Sequence, residues 1–263
     1  MFYKKISLAL IILASTVLAV RIKTTHVEAV NWPAKSKTEK NGNFNPFSHV
    51  GAISPSSKSL AKAITKKIWQ ETASRPNGLT ILEIGAGNGV FTAALEAQFA
   101  KHKITHYTIY AVDIDPTFIT ALKKRFAHNP RIKIVAIDIS SITSPEALGL
   151  ASGTFFDIII SGLPFYADCF SPENVEKILT NYIAFLKPDG LLRWFSYIGI
   201  SKIITTCLHS GALASRRYKV PLSSFEHKCR IINKFKNQQH AISKPVFSNL
   251  PPAWVHECRA PGK

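Results

Sequence analysis

The stretch Leu79-Thr80-Ile81-Leu82-Glu83-Ile84-Gly85-Ala86-Gly87-Asn88-Gly89-Val90 decides the fold. Its first six residues are mostly aliphatic without strict alternation, the mark of a strand buried on both faces. Three glycines at alternate positions follow, and Val90 to Phe99 then reads as a helix. Strand, glycine loop and helix in that order make a place for a nucleotide-like ligand. The loop backbone can turn tightly and approach a ligand closely, and the helix beyond it offers unpaired amides at its positive end. Glycine-rich turns also join strand to helix where nothing binds, so the flanking sequence has to decide.

The flanking sequence repeats the unit. Tyr107 to Val112 is a second strand ending in Asp113-Ile114-Asp115-Pro116, with Asp115 and Pro116 suited to opening a helix through Phe126. Asp113 then stands at a strand's carboxyl end, the edge that borders the ligand crevice of an open parallel sheet, where two acceptor oxygens can take both hydroxyls of a ribose. A third strand, Arg131 to Ile137, runs into Asp138-Ile139, and a fourth, Phe155 to Ile160, into Ser161-Gly162-Leu163-Pro164-Phe165-Tyr166. A helix opened by Ser171-Pro172 and a strand from Leu191 to Ile198 complete five units, which specify a doubly wound sheet. A helical stretch near Gly199 to Leu213 and two more strands, roughly Phe225 to Phe235 and Ala253 to Arg259, are expected to bring the sheet to seven strands. Ahead of the glycine loop a helix from Ser54-Pro55 to about Thr72 would pack Leu60, Ile64 and Ile68 inward and present Lys58, Lys62 and Lys66 as a cationic stripe.

Composition bounds the partners. Hydrophobic residues make up 46% of the 263, too many for wholesale disorder, and a mean hydropathy of +0.07 is too low for a multi-span membrane protein. Thirty-three Lys and Arg against 16 Asp and Glu give +17, which points to phosphate-rich partners, either nucleic acid or an anionic membrane face. Cys169, Cys207, Cys229 and Cys258 lack metal-ligand spacing and read as reduced thiols, and no metal site is expected. Residues 1–23 hold the apolar run Ile6 to Val20 between lysines and Arg21, expected to be a membrane anchor or a signal-like segment. Residues 24–46 have linker composition, and residues 47–263 form the expected folded domain.

Taken together, Glu83-x-Gly85-x-Gly87-x-Gly89, Val112-Asp113-x-Asp115 and Asp138 resemble the class I S-adenosylmethionine-dependent methyltransferases. The glycine spacing differs from the G-x-G-x-x-G of nicotinamide-binding folds. Gly51-Ala52-Ile53-Ser54-Pro55-Ser56-Ser57, Ser161 to Phe165, and Asn249-Leu250-Pro251-Pro252-Ala253-x-Val255 are similar to segments of bacterial phospholipid N-methyltransferases, a branch whose sequences resemble the ribosomal RNA adenine dimethyltransferases. The likeness spans Phe47 to Arg259. It implies an α/β, Rossmann-like class I methyltransferase fold with a seven-stranded, mostly parallel sheet and helices on both faces, to which the chain adds its N-terminal hydrophobic segment.

The same resemblance implies S-adenosyl-L-methionine as cofactor. Its methionine part would lie against Glu83, Gly85, Ala86, Gly87 and Gly89, its ribose on Asp113, and its adenine beside Asp138 between Ile114 and Ile139. Ser161, Leu163, Phe165 and Tyr166 would form the catalytic loop, with Ser161 also touching the cofactor. Ser161 and main-chain carbonyls would orient the acceptor amine, and the two aromatic rings would face an increasingly methylated cation. His49, Tyr166 and Asp168 are candidates for the general base.

The expected function is that of a membrane-associated phospholipid N-methyltransferase acting on the amine of phosphatidylethanolamine, towards phosphatidylcholine. Its catalytic domain would face the cytoplasm, with a phospholipid substrate and an anionic membrane surface as partners. Gly199 to Lys263 carries eleven Lys and Arg against two Glu, which suits that surface. One alternative is an RNA adenine N6-methyltransferase. RNA enzymes of this kind carry Asn or Asp where Ser161 stands, and only four residues follow the last expected strand, leaving no C-terminal helical RNA-binding domain, so nucleic acid is the weaker expectation. A further alternative is a membrane protein that binds S-adenosylmethionine without catalysis.

Overall fold

The computed structural model describes residues 56–167, 169–199, 222–249 and 251–262. Ser57 caps the first described helix, α1 (Lys58–Ile64), by accepting the Leu60 amide on its hydroxyl. Lys67 takes a left-handed conformation, with φ 61°, and the chain continues as a 3-10 helix over Ile68–Ser74. The helix expected to reach Thr72 without interruption is thus divided. Leu60, Ile64 and Ile68 are nevertheless fully buried, and Lys58, Lys62 and Lys66 are exposed.

The strand and helix units then follow: β1 (Leu79–Ile84), α2 (Val90–Lys101), β2 (Tyr107–Asp113), α3 (Pro116–Arg125), β3 (Ile132–Ala136), β4 (Phe156–Ser161), α4 (Pro172–Phe185) and β5 (Leu186–Tyr197). After these come α5 (Leu222–Gln238), β6 (Ile242–Val246) and β7 (Ala253–Arg259). Two starts are fixed by side chains. Asp115 accepts from the Thr117 amide at 2.7 Å ahead of Pro116, and Ser171 accepts from the Asn174 amide ahead of Pro172.

The seven strands of the described residues lie in one sheet in the order β3-β2-β1-β4-β5-β7-β6. β1 stands between β2 and β4, so the chain winds outward through β2 and β3 and then crosses over to β4 on the other side. That reversal is the topological switch point, where ligands of open α/β sheets bind. Register places Ile84 beside both Val112 and Ser161, so the carboxyl ends of the three strands meet at one edge. Side chains alternate between two cores. Leu82, Ile159 and Leu192 pack with α4 and α5 residues such as Tyr182 and Phe235, while Ile81, Ile109 and Ile158 pack with Leu60, Leu95 and Leu122 on the other face.

The sequence reading needs three corrections. Phe225 to Phe235, expected as a strand, lies within α5. Phe225, Lys228, Ile232 and Phe235, spaced by three and four, are the buried stripe of a helix; the sixth strand is Ile242–Val246. Secondly, the mostly parallel sheet is mixed at one strand, because β7 returns antiparallel to both β5 and β6. Thirdly, a membrane anchor forms no part of the fold described. Among the described residues no helix is long and apolar enough to cross a membrane, and the longest, α5, has 17 residues and includes Glu226, Lys228, Arg230, Lys234 and Lys236. Ile6 to Val20 and the helical stretch expected near Gly199 to Leu213 lie outside the described residues.

Candidate cofactor and acceptor site

The glycine loop is held by its neighbours on β2. Gly85 and Ala86 both donate their amides to the Val112 carbonyl, each at 3.0 Å. The Gly87 amide donates to Asp113 Oδ2 at 2.7 Å, and Asp113 Oδ1 accepts the Asp115 amide at 2.9 Å. Gly87 has φ 53°, a conformation costly for a residue with a Cβ. A Cβ built there would meet nothing within 4 Å, so the loop is open on that side, whereas one on Gly89 would meet Phe126 at 2.6 Å. The loop is therefore closed below and accessible above.

Glu83 lies beneath the loop, fully buried. Its Oε2 accepts from the Thr92 hydroxyl, and its Oε1 has no hydrogen-bond partner. Burial, reinforced by the nearby Asp113 charge, pushes its carboxyl up to about 8 despite the opposing Thr92 bonds. An unsatisfied buried oxygen costs roughly 1–3 kcal/mol, and a donor or cation on a bound ligand would offset that. Asp113 is half-buried with acceptor capacity left over, and Ile114 beside it is 67% exposed, an apolar surface available to a flat ring. These residues fit S-adenosylmethionine: amides and a carboxyl for its charged end, a carboxylate for its diol, an apolar wall for its base.

The remaining expected cofactor residues are placed differently. Asp138 is exposed and caps a short 3-10 turn, Ile139–Ser141, by accepting from the Ser140 amide at 2.8 Å. Ile139 is 8% exposed and packs into the core with Ile142.

The loop expected to receive the acceptor begins where β4 ends. Gly162 donates its amide to the Ile84 carbonyl at 2.7 Å, and a Cβ on Gly162 would lie 2.7 Å from the Gly85 carbonyl oxygen. Leu163 closes on Gly85 from the same direction. The glycine loop and the loop after β4 thus interlock. Ser161 is buried; its Oγ accepts from Tyr182 Oη at 2.9 Å and from the Leu163 amide at 3.3 Å. Phe165 is 3% exposed and packs near Phe170 and Tyr182. Tyr166 is half-buried with Phe225 against its ring at 5.7 Å, and burial pushes its phenol above the ordinary tyrosine range. His49 and Asp168 lie outside the described residues.

Sequence reasoning missed Thr92, Tyr182, Phe225 and Lys228. Lys228 is fully buried and donates to the carbonyls of Ala167 at 2.8 Å, Phe170 at 3.3 Å and Tyr166 at 3.5 Å. The available signal was a lysine inside an apolar helical stripe. Among the described residues no group of His, Cys, Asp and Glu could hold a metal ion.

Comparison with known proteins assigns the class. A family model described as "Methyltransferase domain" matches residues 81–190. The chain is 31% identical over 139 residues to a highly reducing polyketide synthase, pspA, of Penicillium soppii, across 48% of this chain and 5% of that protein. It is 34% identical over 100 residues to a probable ribosomal RNA small subunit methyltransferase A of Methanosarcina acetivorans, across 38% of this chain and 30% of that protein. The crystal structure of the CurJ carbon methyltransferase superimposes with a TM-score of 0.54 at 18% identity, covering 78% of this chain and 56% of that one.

The chain has the class I S-adenosylmethionine-dependent methyltransferase fold and is a methyltransferase that uses S-adenosyl-L-methionine. The comparisons correct the rest of the expectation. These relatives are a polyketide synthase and a probable ribosomal RNA small subunit methyltransferase, and they do not support the expected phospholipid substrate and anionic membrane partner. The expected membrane anchor gains no support either: among the described residues no helix is long and apolar enough to cross a membrane, and Ile6 to Val20 lies outside them.

Proposed function

We propose that the chain transfers methyl groups to the exocyclic amine of adenine in RNA. The observation that carries this reading is the 34% identity over 100 residues to a probable ribosomal RNA small subunit methyltransferase. A net charge of +17 suits a polyphosphate substrate.

Bound S-adenosylmethionine supplies an electrophilic methyl on sulfur. The chain's own residues have to deliver a nitrogen lone pair to it in line, at about 3–3.5 Å. An aryl amine has its lone pair drawn into the ring, and acceptors on its two hydrogens return the pair to nitrogen. Asn or Asp would be the usual side-chain acceptor. Ser161 Oγ is engaged by Tyr182 and the Leu163 amide, so this reading gives the task to main-chain carbonyls of the loop Ser161 to Tyr166. Tyr166 offers an aromatic surface for the base to stack on. The proton is lost from the methylated, cationic nitrogen, which is acidic enough for water to receive it; the raised Tyr166 phenol stays protonated and acts through its ring.

A second reading is methylation of a small carbon acid, favoured by the match to the polyketide synthase. One experiment separates the two. Purified chain is incubated with radiolabelled S-adenosylmethionine and either ribosomal RNA or a β-ketoacyl thioester, and products are read by mass after nuclease digestion or thioester cleavage. N6-methyladenosine in the digest, lost in Tyr166→Ala, is the expected result. Label in the thioester alone would replace the RNA reading with the second.

A further inference from the structure

We infer that Lys228 is a positioning residue for the acceptor: from α5 it gathers the carbonyls that follow β4 and so fixes where Tyr166 stands. The inference rests on the reading that Ser161 to Tyr166 receives the acceptor.

Lys228 is fully buried on the stripe that also carries Phe225, Ile232 and Phe235. Methionine or leucine would fill that stripe without taking an ammonium out of water, so packing alone does not account for a lysine. Its surroundings do. Nζ donates to Ala167 O at 2.8 Å and Phe170 O at 3.3 Å and lies 3.5 Å from Tyr166 O. The segment it holds lacks a ladder of its own. Turn bonds join Phe165 to Leu163, Ala167 to Pro164 and Phe170 to Ala167, and carbonyls turned inward there need a donor.

One helical turn earlier, Phe225 packs against the Tyr166 ring at 5.7 Å. Backbone and ring of the acceptor loop are therefore fixed by two residues three apart on one helix, both on the side of the sheet away from the glycine loop's helix. The cofactor half and the acceptor half of the site have separate supports.

The test uses the full chain and the variants Lys228→Met and Lys228→Arg. Measurements are S-adenosylmethionine affinity by calorimetry, amide hydrogen exchange across residues 163–170, and kcat and KM toward an adenine-containing oligoribonucleotide. In Lys228→Met, cofactor Kd should stay within about twofold, exchange in 163–170 should accelerate relative to α2, and oligonucleotide KM should rise about 10- to 100-fold with a smaller change in kcat, the scale expected when a reacting group is misplaced by an ångström. Lys228→Arg, which keeps a cation with several donors, should move each value back toward wild type. Unchanged exchange and KM in a folded Lys228→Met overturn the inference, as does an equal loss of cofactor affinity. Should Lys228→Met not fold, Lys228→Gln carries the same measurements with the same deciding outcomes. If wild type leaves the oligonucleotide unmethylated, the RNA reading fails, while exchange and cofactor affinity still judge Lys228.

Discussion

The carboxylate of Asp113 accepts the Gly87 amide at 2.7 Å and the Asp115 amide at 2.9 Å, so the residue proposed to receive a ribose also braces the glycine loop. Charge-assisted bonds of this kind contribute roughly 1.5–3 kcal/mol each. Asp113→Ala is expected to weaken S-adenosylmethionine binding by about tenfold or more and to lower Tm. Asp113→Asn keeps an acceptor for one amide and should lose less of both. Calorimetry and thermal melts of the two variants, side by side, check this; equal cofactor affinity in wild type and Asp113→Ala would remove Asp113 from the site.

Glu83 makes ligand-free stability depend on pH. Its native carboxyl is held at about 8 by burial, against an ordinary value of 4.5. Between those values the native state holds a proton that the unfolded chain has released, so stability is full below about 4.5 and declines as pH climbs toward 8. Glu83→Gln removes the titration. Its Tm relative to wild type should improve from pH 5 to about pH 8 and level off above that. A cation brought close by the cofactor favours the ionised carboxylate, so cofactor binding near neutral pH should release a proton in wild type and none in Glu83→Gln, read from binding enthalpies in buffers of different ionisation heat.

Gly162 has no room for a side chain: a Cβ would lie 2.7 Å from the Gly85 carbonyl oxygen. Both atoms belong to backbones that are hydrogen-bonded to neighbouring strands, so neither yields cheaply. Gly162→Ala should destabilise the protein by about 1–3 kcal/mol and reduce methyl transfer, because the two interlocked loops must separate. Denaturant unfolding and single-turnover assays measure the two effects.

His256 should set the acid limit. It is 2% exposed, and its two ring nitrogens bond Ser196 on β5 and Ser243 on β6, each at 2.8 Å. Burial first, then the charge of Lys236, depresses its pKa to about 3. The unfolded chain binds this proton near 6.5 and the native state near 3, so stability falls as pH drops through that interval. Urea midpoints from pH 7 to pH 4 should fall less steeply in His256→Gln than in wild type; parallel slopes would refute the assignment.

The glycine loop and the parallel half of the sheet were legible because local signals there agree. Aliphatic runs end at loops, and Asp115-Pro116 and Ser171-Pro172 announce helix starts that their side chains do cap. Phe225 to Phe235 misled because its aromatic and β-branched residues suit a strand, while its three-and-four spacing suits a helix. The environment of Ser161 was beyond local reading. Its partner Tyr182 lies 21 residues on, and nothing near either residue in sequence specifies the other. Nor did the carbonyls of residues 166 to 170 announce Lys228, which reaches them from about 60 residues away. The partner class was misread for a different reason: lysines attract any polyanion, and charge alone does not distinguish a lipid headgroup from a nucleic acid.

The position of β7 has a consequence for synthesis. This strand lies between β5 and β6, with Leu191 paired to Arg259 and Val246 to Ala253. A chain emerging from the ribosome can pair its parallel strands early, yet the free edge of β5 stays uncovered and β6 has no strand to dock on until Ala253–Arg259 arrives. Such an edge can recruit the wrong strand from another nascent chain. Folding in the cell is therefore expected to pause at a five-stranded intermediate and finish in one late step, when the last strand fills the gap.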